Sequence, residues 1–173
     1  MRVEDAGIKD LGVVRTLNET EVPHVNSITL DDCIWFLETA DYFRVARNGD
    51  GIKGFLVGFL PSRPYNSPNY RWFCDHYTSF LCIDRVVVAP TARRQGVGRK
   101  LYEDFAGFAA GRANRLACEV NVRPPNEGSL RFHHAFGFAE VGRQELETEA
   151  GAKEVSLLAM ELSGGAASDQ NNL

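Results

Sequence analysis

A short apolar run that leads through a basic, glycine-containing turn into an amphipathic segment constrains the fold more than any other part of this sequence. The stretch reads VVVAPTARRQGVGRKLYEDFAGFAA and runs from Val86 to Ala110. Its β-branched residues favour a strand, which Pro90 ends. The following segment predicts a helix from about Val97 to Arg112, because apolar residues recur there at helical spacing. The residues of that apolar stripe are Val97, Leu101, Phe105 and Phe108.

The turn places positive charge where the predicted helix begins. Four basic residues surround two glycines: Arg93, Arg94, Arg99 and Lys100 around Gly96 and Gly98. Cations at a helix N-terminus are disfavoured by up to about 1 kcal/mol each, whereas the unpaired N–H groups there suit an anion. The charge placement therefore predicts a phosphate site, with a solvated basic turn as the alternative. A Walker loop needs Ser or Thr at position 101 and a dinucleotide loop needs glycine, so Leu101 excludes both.

The whole chain is mildly acidic, with a formal net charge of −4 over 173 residues. That balance gives no reason to expect nucleic acid or an anionic membrane as a partner, and no apolar run approaches the roughly 20 residues of a membrane span. The start lacks the apolar segment of a signal peptide, and the four cysteines form no Cys-x-x-Cys pair. We therefore expect a cytoplasmic protein without a metal site, built as one domain over residues 1–162 with a disordered tail over 163–173.

The order of the predicted elements is mixed α+β. A possible short strand at Val3 comes first, followed by two helices, with Thr29 as the N-cap of the second, and the glycine-rich segment 48–51 predicts a hairpin. After the basic turn and its helix come a strand, a short helix from Asn126 to Phe136 that Gly137 ends, and a final pair of strands. Residues 61–78 contain three prolines and several aromatic residues, and they are predicted to form a long functional loop.

Two motifs resemble those of the GNAT superfamily of acetyl-CoA-dependent N-acetyltransferases. Arg93-x-x-Gly96-x-Gly98 after a strand is similar to the family's pyrophosphate loop. NEGSLRFHHAFGFAEVG is similar to its late segment, in which an asparagine precedes a short helix that ends in Gly-Phe. The resemblance covers about Phe80–Glu161. It implies an α+β fold with a GNAT-like central mixed, mostly antiparallel sheet of about six to seven strands flanked by about four helices, and acetyl-CoA held between two splayed strands.

The resemblance also implies which residues bind the cosubstrate acetyl-CoA. The loop would hold the pyrophosphate, the backbone of the preceding strand would pair with the pantetheine arm, and the late asparagine would contact the cofactor. The cofactor-binding residues predicted in this way are Val86, Val87, Val88, Arg93, Arg94, Gln95, Gly96, Val97, Gly98, Arg99 and Asn126. The implied function is direct transfer of an acetyl group from acetyl-CoA to a primary amine of a small molecule or peptide. Family members often pair, so a homodimer is a further expectation.

Acetyl transfer to an amine needs a neutral amine, a donor for the oxyanion and a proton for the departing thiolate. His133 stands where many family members carry the tyrosine that supplies this proton, and a histidine can supply it too. A structural imidazole is the alternative. Asp84, within an apolar strand, and Glu119 are candidate bases. For either carboxylate the alternative is an ion pair, such as one between Asp84 and Arg85.

Two loops are expected to recognise the acceptor: the segment NETEVPHVNSI and the aromatic segment 61–78. The predicted substrate-binding residues are Glu21, His24, Asn26, Tyr65, Tyr70 and Trp72, with loop packing as the alternative for each. Two other functions compete with acetyl transfer. A non-catalytic acyl-CoA-binding or sensing module on the same fold is favoured by the missing tyrosine. A nucleic-acid-binding domain that uses ARRQGVGRK is disfavoured by the overall acidity.

Overall fold

The computed structural model describes residues 1–49, 51–148 and 151–163. Within these ranges it contains seven strands: β1 (Arg2–Asp5), β2 (Tyr42–Asn48), β3 (Gly51–Phe59), β4 (Leu81–Val88), β5 (Arg115–Arg123), β6 (Ala139–Thr148) and β7 (Gly151–Glu161). The same ranges contain five α-helices: α1 (Leu11–Glu19), α2 (Leu30–Thr39), α3 (Pro68–His76), α4 (Val97–Ala109) and α5 (Glu127–Phe136). The predicted C-terminal tail lies outside the described residues except for Ser163.

The chain divides into two compact units. The first comprises residues 1–59 and 83–108, and in it β2 pairs antiparallel with both β1 and β3. The second comprises residues 60–82 and the described residues from 109 onward, and in it β7 pairs antiparallel with both β5 and β6. The start of β4 belongs to the second unit, where the parallel ladder with β5 consists of the pairs Leu81↔Leu116 and Cys82↔Ala117.

The strand order is β1-β2-β3-β4-β5-β7-β6. The sheet is therefore mixed and mostly antiparallel, which confirms the predicted fold class. Its seven strands in the described ranges agree with the prediction, and the five helices there exceed the predicted four by one.

Local sequence signals account for most of the element boundaries. Thr29 caps α2, because its Oγ1 accepts a hydrogen bond from the Asp32 N–H at 3.1 Å while the Asp32 carboxylate accepts one from the Thr29 N–H at 2.7 Å. Asn126 caps α5 by accepting from the Ser129 N–H at 3.2 Å. Gly137, with a φ of 123°, ends that helix. All three boundaries follow the sequence predictions.

Helix α3 is the element that sequence analysis missed, since it lies inside the segment predicted to be a loop. Ser67 caps it by accepting from the Tyr70 N–H at 3.4 Å, and Pro68 occupies its first turn, where a missing N–H costs little. Tyr70 and Phe73 are its buried aromatic residues. Only nine residues long, the helix offers too short a periodic pattern to stand out from the prolines around it.

Within the described ranges, no helix has both the length and the apolar character needed to cross a membrane. The four cysteines are free thiols, and Cys33, Cys82 and Cys118 are buried.

Gly54 in β3 permits a close backbone approach at the start of α4. A Cβ at this position would lie 2.7 Å from the carbonyl oxygen of Val87 and 3.2 Å from a side-chain methyl group of Val97. The first of these contacts is with a backbone oxygen, which cannot move away by a rotamer change as a side chain can. Gly54 thus allows β3 to pack against the end of β4 and the beginning of α4, the two elements that bracket the basic turn.

We expect Gly54→Ala to lower the free energy of unfolding by about 1–3 kcal/mol, because the new methyl group overpacks this contact. Chemical denaturation followed by circular dichroism measures the change. Gly107→Ala is the matched control: Gly107 lies in α4, and a methyl group added there would have no neighbouring atom within 4 Å beyond its own helix backbone, so alanine should be neutral or stabilising. Equal denaturation midpoints for Gly54→Ala and wild type would contradict the assigned packing role.

Candidate functional site

The first unit contains a turn with two left-handed residues at the place where the sequence predicts a phosphate site. Between the short 3-10 turn Pro90–Ala92 and α4, Arg94 and Gly96 adopt positive φ values of 59° and 79°. Left-handed residues interspersed in a turn direct backbone N–H groups toward a common side and form a concave anion nest. A Cβ at Gly96 would meet no atom within 4 Å, so the space beside it is open. The Lys100 N–H donates to the Gly96 carbonyl at 3.0 Å and begins the helix.

The side chains around this turn are exposed and mostly cationic. Among the described residues, the side chains of Arg94 and Lys100 make no hydrogen bond or ion pair. Arg99 donates to Glu103 one helical turn away at 2.8 Å. The exposed Gln95 side chain donates to the carbonyl of Thr91 at 2.9 Å and so stabilises the turn. Two uncompensated cations at a helix N-terminus are the arrangement that an anionic ligand would relieve.

The strand that precedes the turn has one buried and one half-exposed face. Val87 is buried, with 1% of its surface exposed, whereas Val86 and Val88 are half-buried. Just after the strand, the Ala89 N–H donates to the Lys53 carbonyl at 2.8 Å. The backbone of residues 86–88 therefore leads directly into the anion nest, and Val97 and Gly98 follow it in the first turn of α4.

Asp84 takes part in the ion pair that the sequence left open as its alternative role. Its carboxylate accepts from Arg85 Nε at 2.6 Å. The Arg85 guanidinium also donates to Asn18 Oδ1 at 2.9 Å and lies 4.9 Å from the centroid of the Phe36 ring. A buried charge needs this kind of compensation. Because Arg85 engages the Asp84 carboxylate, a role for Asp84 as a base remains a prediction.

The three acceptor residues predicted from the first loop have different surroundings. Glu21 accepts a hydrogen bond from Arg93 of the basic turn, which ties that loop to the anion nest. His24 is exposed. The backbone carbonyl of Asn26 accepts from Asn18 Nδ2 at 2.9 Å, while its side chain is exposed. Of the three, Glu21 is the residue that the structure brings to the predicted cofactor loop.

The second unit contains Asn126 and His133, at the start and near the end of α5. His133 is 3% exposed, and its Nδ1 lies 2.7 Å from the Ser129 carbonyl oxygen. A carbonyl oxygen only accepts, so Nδ1 carries the hydrogen and Nε2 is an acceptor in the neutral ring. Burial lowers the pKa of His133 below its ordinary value of 6.5. At neutral pH the ring is therefore mainly uncharged, a state in which it accepts a proton more readily than it donates one.

The aromatic residues predicted to form an acceptor wall are largely occupied by packing within the second unit. Tyr70 is 3% exposed, and its hydroxyl donates to the Leu60 carbonyl at 2.5 Å. Burial raises the pKa of this hydroxyl. Tyr65 packs against the Tyr70 ring with centroids 5.5 Å apart. The Trp72 ring stacks on His76 and also packs against Gly142, where a Cβ would lie 2.7 Å from it.

Glu119 lies on the face of β5 and β7 that α3 covers. It is opposite Leu157, which in turn pairs with Gly142 beneath Trp72. Glu119 is half-buried. Asn121 follows on the same face, because alternate residues of a strand point the same way. Sequence analysis singled out Glu119 but not Asn121, although the polar–apolar alternation in CEVNV is the signal that links them. The described residues contain no cluster of three or more potential metal ligands.

Residues 13–138 match the model of the acetyltransferase (GNAT) family. This match covers most of the chain, and the chain therefore belongs to the GNAT acetyltransferase family.

One relative of known activity is similar in sequence, and two solved structures share the fold. The chain is 33% identical over 101 residues to a phosphinothricin N-acetyltransferase of Streptomyces coelicolor, a match that covers 57% of this chain and 52% of that protein. The match thus spans about half the length of that relative. The structure of smu.2055 from Streptococcus mutans superposes with a TM-score of 0.75 at 18% identity, covering 93% of this chain and 99% of the other. The structure of yncA from Salmonella typhimurium, which contains its cofactor acetyl-CoA, superposes with a TM-score of 0.73 at 16% identity and covers 98% of both chains.

Proposed function

We propose that this protein transfers an acetyl group from acetyl-CoA to a primary amine of a small molecule or peptide. The observation that carries the proposal is the open anion nest at Arg94 and Gly96, with the uncompensated side chains of Arg94 and Lys100 beside it. Membership of an acetyltransferase family supports the same reaction. So does the N-acetyltransferase activity in the name of the Streptomyces coelicolor relative, whose acceptor is phosphinothricin.

In this proposal the nest holds the pyrophosphate of acetyl-CoA through the backbone N–H groups of residues 94–99. The backbone of residues 86–88 pairs with the amide groups of the pantetheine arm, and Asn126 contacts the cofactor. Arg93 adds charge at the nest, where Glu21 already engages it. Backbone donors and a helix N-terminus favour a doubly charged pyrophosphate over a neutral ligand.

The chemical step forms one bond and breaks another. The amine nitrogen attacks the thioester carbonyl carbon, the C–S bond breaks, the nitrogen loses a proton and the sulfur gains one. We assign binding of the amine to Glu119, and Asp84, whose carboxylate accepts from Arg85 Nε at 2.6 Å, is the alternative. His133, neutral near pH 7 and donating through Nδ1, offers Nε2 as a proton acceptor. This assignment differs from the acid role expected from the sequence, and the pH profile given in the Discussion distinguishes the two.

Calorimetric titration of the purified protein with acetyl-CoA, and in parallel with desulfo-CoA and ATP, tests the first step. We expect saturable binding of both coenzyme A forms and much weaker binding of ATP. Thiol release from acetyl-CoA is then followed with a panel of amines that includes phosphinothricin, amino acids, polyamines and lysine-containing peptides. Coenzyme binding with acetylation of at least one amine supports the proposal, whereas a folded protein that binds no coenzyme contradicts it.

A non-catalytic acyl-CoA-binding module is the second candidate function. It is favoured by His133, which stands where the family often has tyrosine and whose Nδ1 hydrogen is already donated to Ser129. This candidate predicts that acetyl-CoA binds but that no amine in the panel increases the release of thiol. The same two assays therefore separate the two functions.

A further inference from the structure

Three polar side chains of the second unit lie on one face of β5 and β7 and form what we call the β5–β7 recess: Glu119, Asn121 and Lys153. The pairing register of β5 with β7 places these three side chains on the same face. Glu119 is opposite Leu157, and Asn121 is opposite Val155. Lys153 precedes Val155 by two residues on β7 and so points to the same side of the sheet.

Helix α3 covers the neighbouring part of this face. Trp72 packs over Gly142 of β6, and Asn69 accepts a hydrogen bond from Gln144 Nε2 at 2.9 Å. Gln144 is opposite Val155, the residue that also faces Asn121. The hydrogen bond between the buried Asn69 and the half-buried Gln144 therefore borders the recess.

Asn121 makes no such contact. It is 6% exposed, and its side-chain amide makes no hydrogen bond with any of the described residues. Its amide atoms are not among the fully buried, unpaired polar atoms of the described residues, so they stay accessible to water and to a ligand. Its backbone carbonyl accepts from the Asn126 N–H at 3.0 Å, so the backbone is fixed while the amide keeps both its donor and its acceptor capacity.

Lys153 adds a half-buried cation with the same property. Its ammonium group makes no hydrogen bond or ion pair with the residues that the structure describes. Burial lowers its pKa, and the nearby charge of Glu119 acts in the opposite direction. Lys153 is thus a partly buried cation whose charge is balanced in part by the nearby Glu119 carboxylate.

We propose that the β5–β7 recess binds an acceptor that carries an anionic group as well as its amine, that is, a small amino-acid-like molecule. Glu119 receives the amine, Lys153 the anionic group, and the Asn121 amide bonds to the molecule between them. Glu119 and Asn121 are about 6.6 Å apart along the strand, a span that suits a small zwitterion. The acetylation of the bound amine rests on the proposed function, whereas binding of the zwitterion to the recess does not.

The charge pattern also excludes some acceptors. A polyamine or a lysine-rich peptide would bring a second cation toward Lys153, where a partly desolvated site magnifies repulsion. A simple neutral alkylamine would leave Lys153 and Asn121 without partners. The recess therefore selects an acceptor in two ways: it repels a second cation, and it pairs with both the amine and the anionic group of a zwitterion.

Paired acceptors test this proposal directly. Thiol release is measured with L-amino acids whose side chains are uncharged and with the corresponding amino-acid amides, which keep the amine but lack the anionic group. We expect Lys153→Met to lower kcat/KM for the amino acids by about tenfold or more and to change that for the amides by less than about twofold. Lys153→Arg should retain the preference. Lys9→Met, at an exposed position in the first unit, is the matched control and should behave as wild type.

Asn121→Leu provides a second, independent variant. Replacing an amide that bonds to no described residue by an apolar side chain of similar size removes no hydrogen bond within the protein. We expect the variant to keep or raise the melting temperature while the KM for amino acids rises about tenfold. Unchanged KM values in both Lys153→Met and Asn121→Leu would overturn the proposal.

Binding measured without turnover separates failure of this inference from failure of the proposed function. If no amine releases thiol, the acetyl-transfer proposal fails, and the recess is then tested by calorimetry with the same amino acids and their amides. Amino-acid binding that Lys153→Met abolishes supports the recess on its own. Absent binding, or equal binding by wild type and Lys153→Met, overturns it.

Discussion

Replacement of Gly96 by aspartate should weaken acetyl-CoA binding by about a hundredfold or more. Nothing lies within 4 Å of the Cβ position of Gly96, so the side chain has room, although the φ of 79° strains the backbone of any residue other than glycine. The added negative charge would stand at the anion nest. Two unit charges about 4 Å apart repel by about 4 kcal/mol at a dielectric typical of protein surfaces, more than enough for this loss.

Gly49→Asp is the matched control for this substitution. Gly49, in the turn between β2 and β3, also has a positive φ, 58°, and nothing within 4 Å of its Cβ position. The control therefore adds the same charge to the same backbone conformation in the same unit, and its acetyl-CoA affinity should equal that of wild type. Gly96→Asn separates charge from bulk, and we expect it to bind more tightly than Gly96→Asp. If calorimetry shows that folded Gly96→Asp binds acetyl-CoA as tightly as wild type, the nest is not the pyrophosphate site.

The parts of the candidate site that sequence analysis predicted are those encoded by local patterns. The strand, the glycine turn and the stripe of α4 are contiguous, and their chemistry follows from helix ends and backbone freedom alone. The stripe is confirmed, since Val97, Leu101 and Phe105 are buried. The cap of α5 by Asn126 is local in the same sense.

The parts that sequence analysis missed depend on strand register. Asn121 and Lys153 share a face only because β5 and β7 pair with Asn121 opposite Val155, and a slip of one residue would turn either side chain to the other face. In the same way, Arg85 of the Asp84–Arg85 ion pair donates a hydrogen bond to Asn18, a residue of α1 that is distant in the sequence. No periodicity within a single segment carries this information.

Replacement of His133 by asparagine should lower kcat by about a hundredfold, with the acetyl-CoA dissociation constant unchanged. Asparagine can still donate to the Ser129 carbonyl in place of Nδ1–H, but it lacks Nε2 and cannot accept a proton near neutral pH. The assay uses thiol release with the best acceptor found. His134→Asn is the matched control on the neighbouring, exposed histidine and should leave kcat unchanged.

The pH profile of wild type tests the direction of proton transfer through His133. Burial places its pKa below 6.5, so the neutral ring predominates above that pH and is lost as the pH falls through the pKa. If the neutral ring accepts the proton, kcat rises with pH below 6.5 and is level above it. His133→Asn should abolish this rising limb. A wild-type kcat that instead falls as the pH rises through this range would show that the imidazolium donates the proton, the acid role that its position in the sequence first predicted.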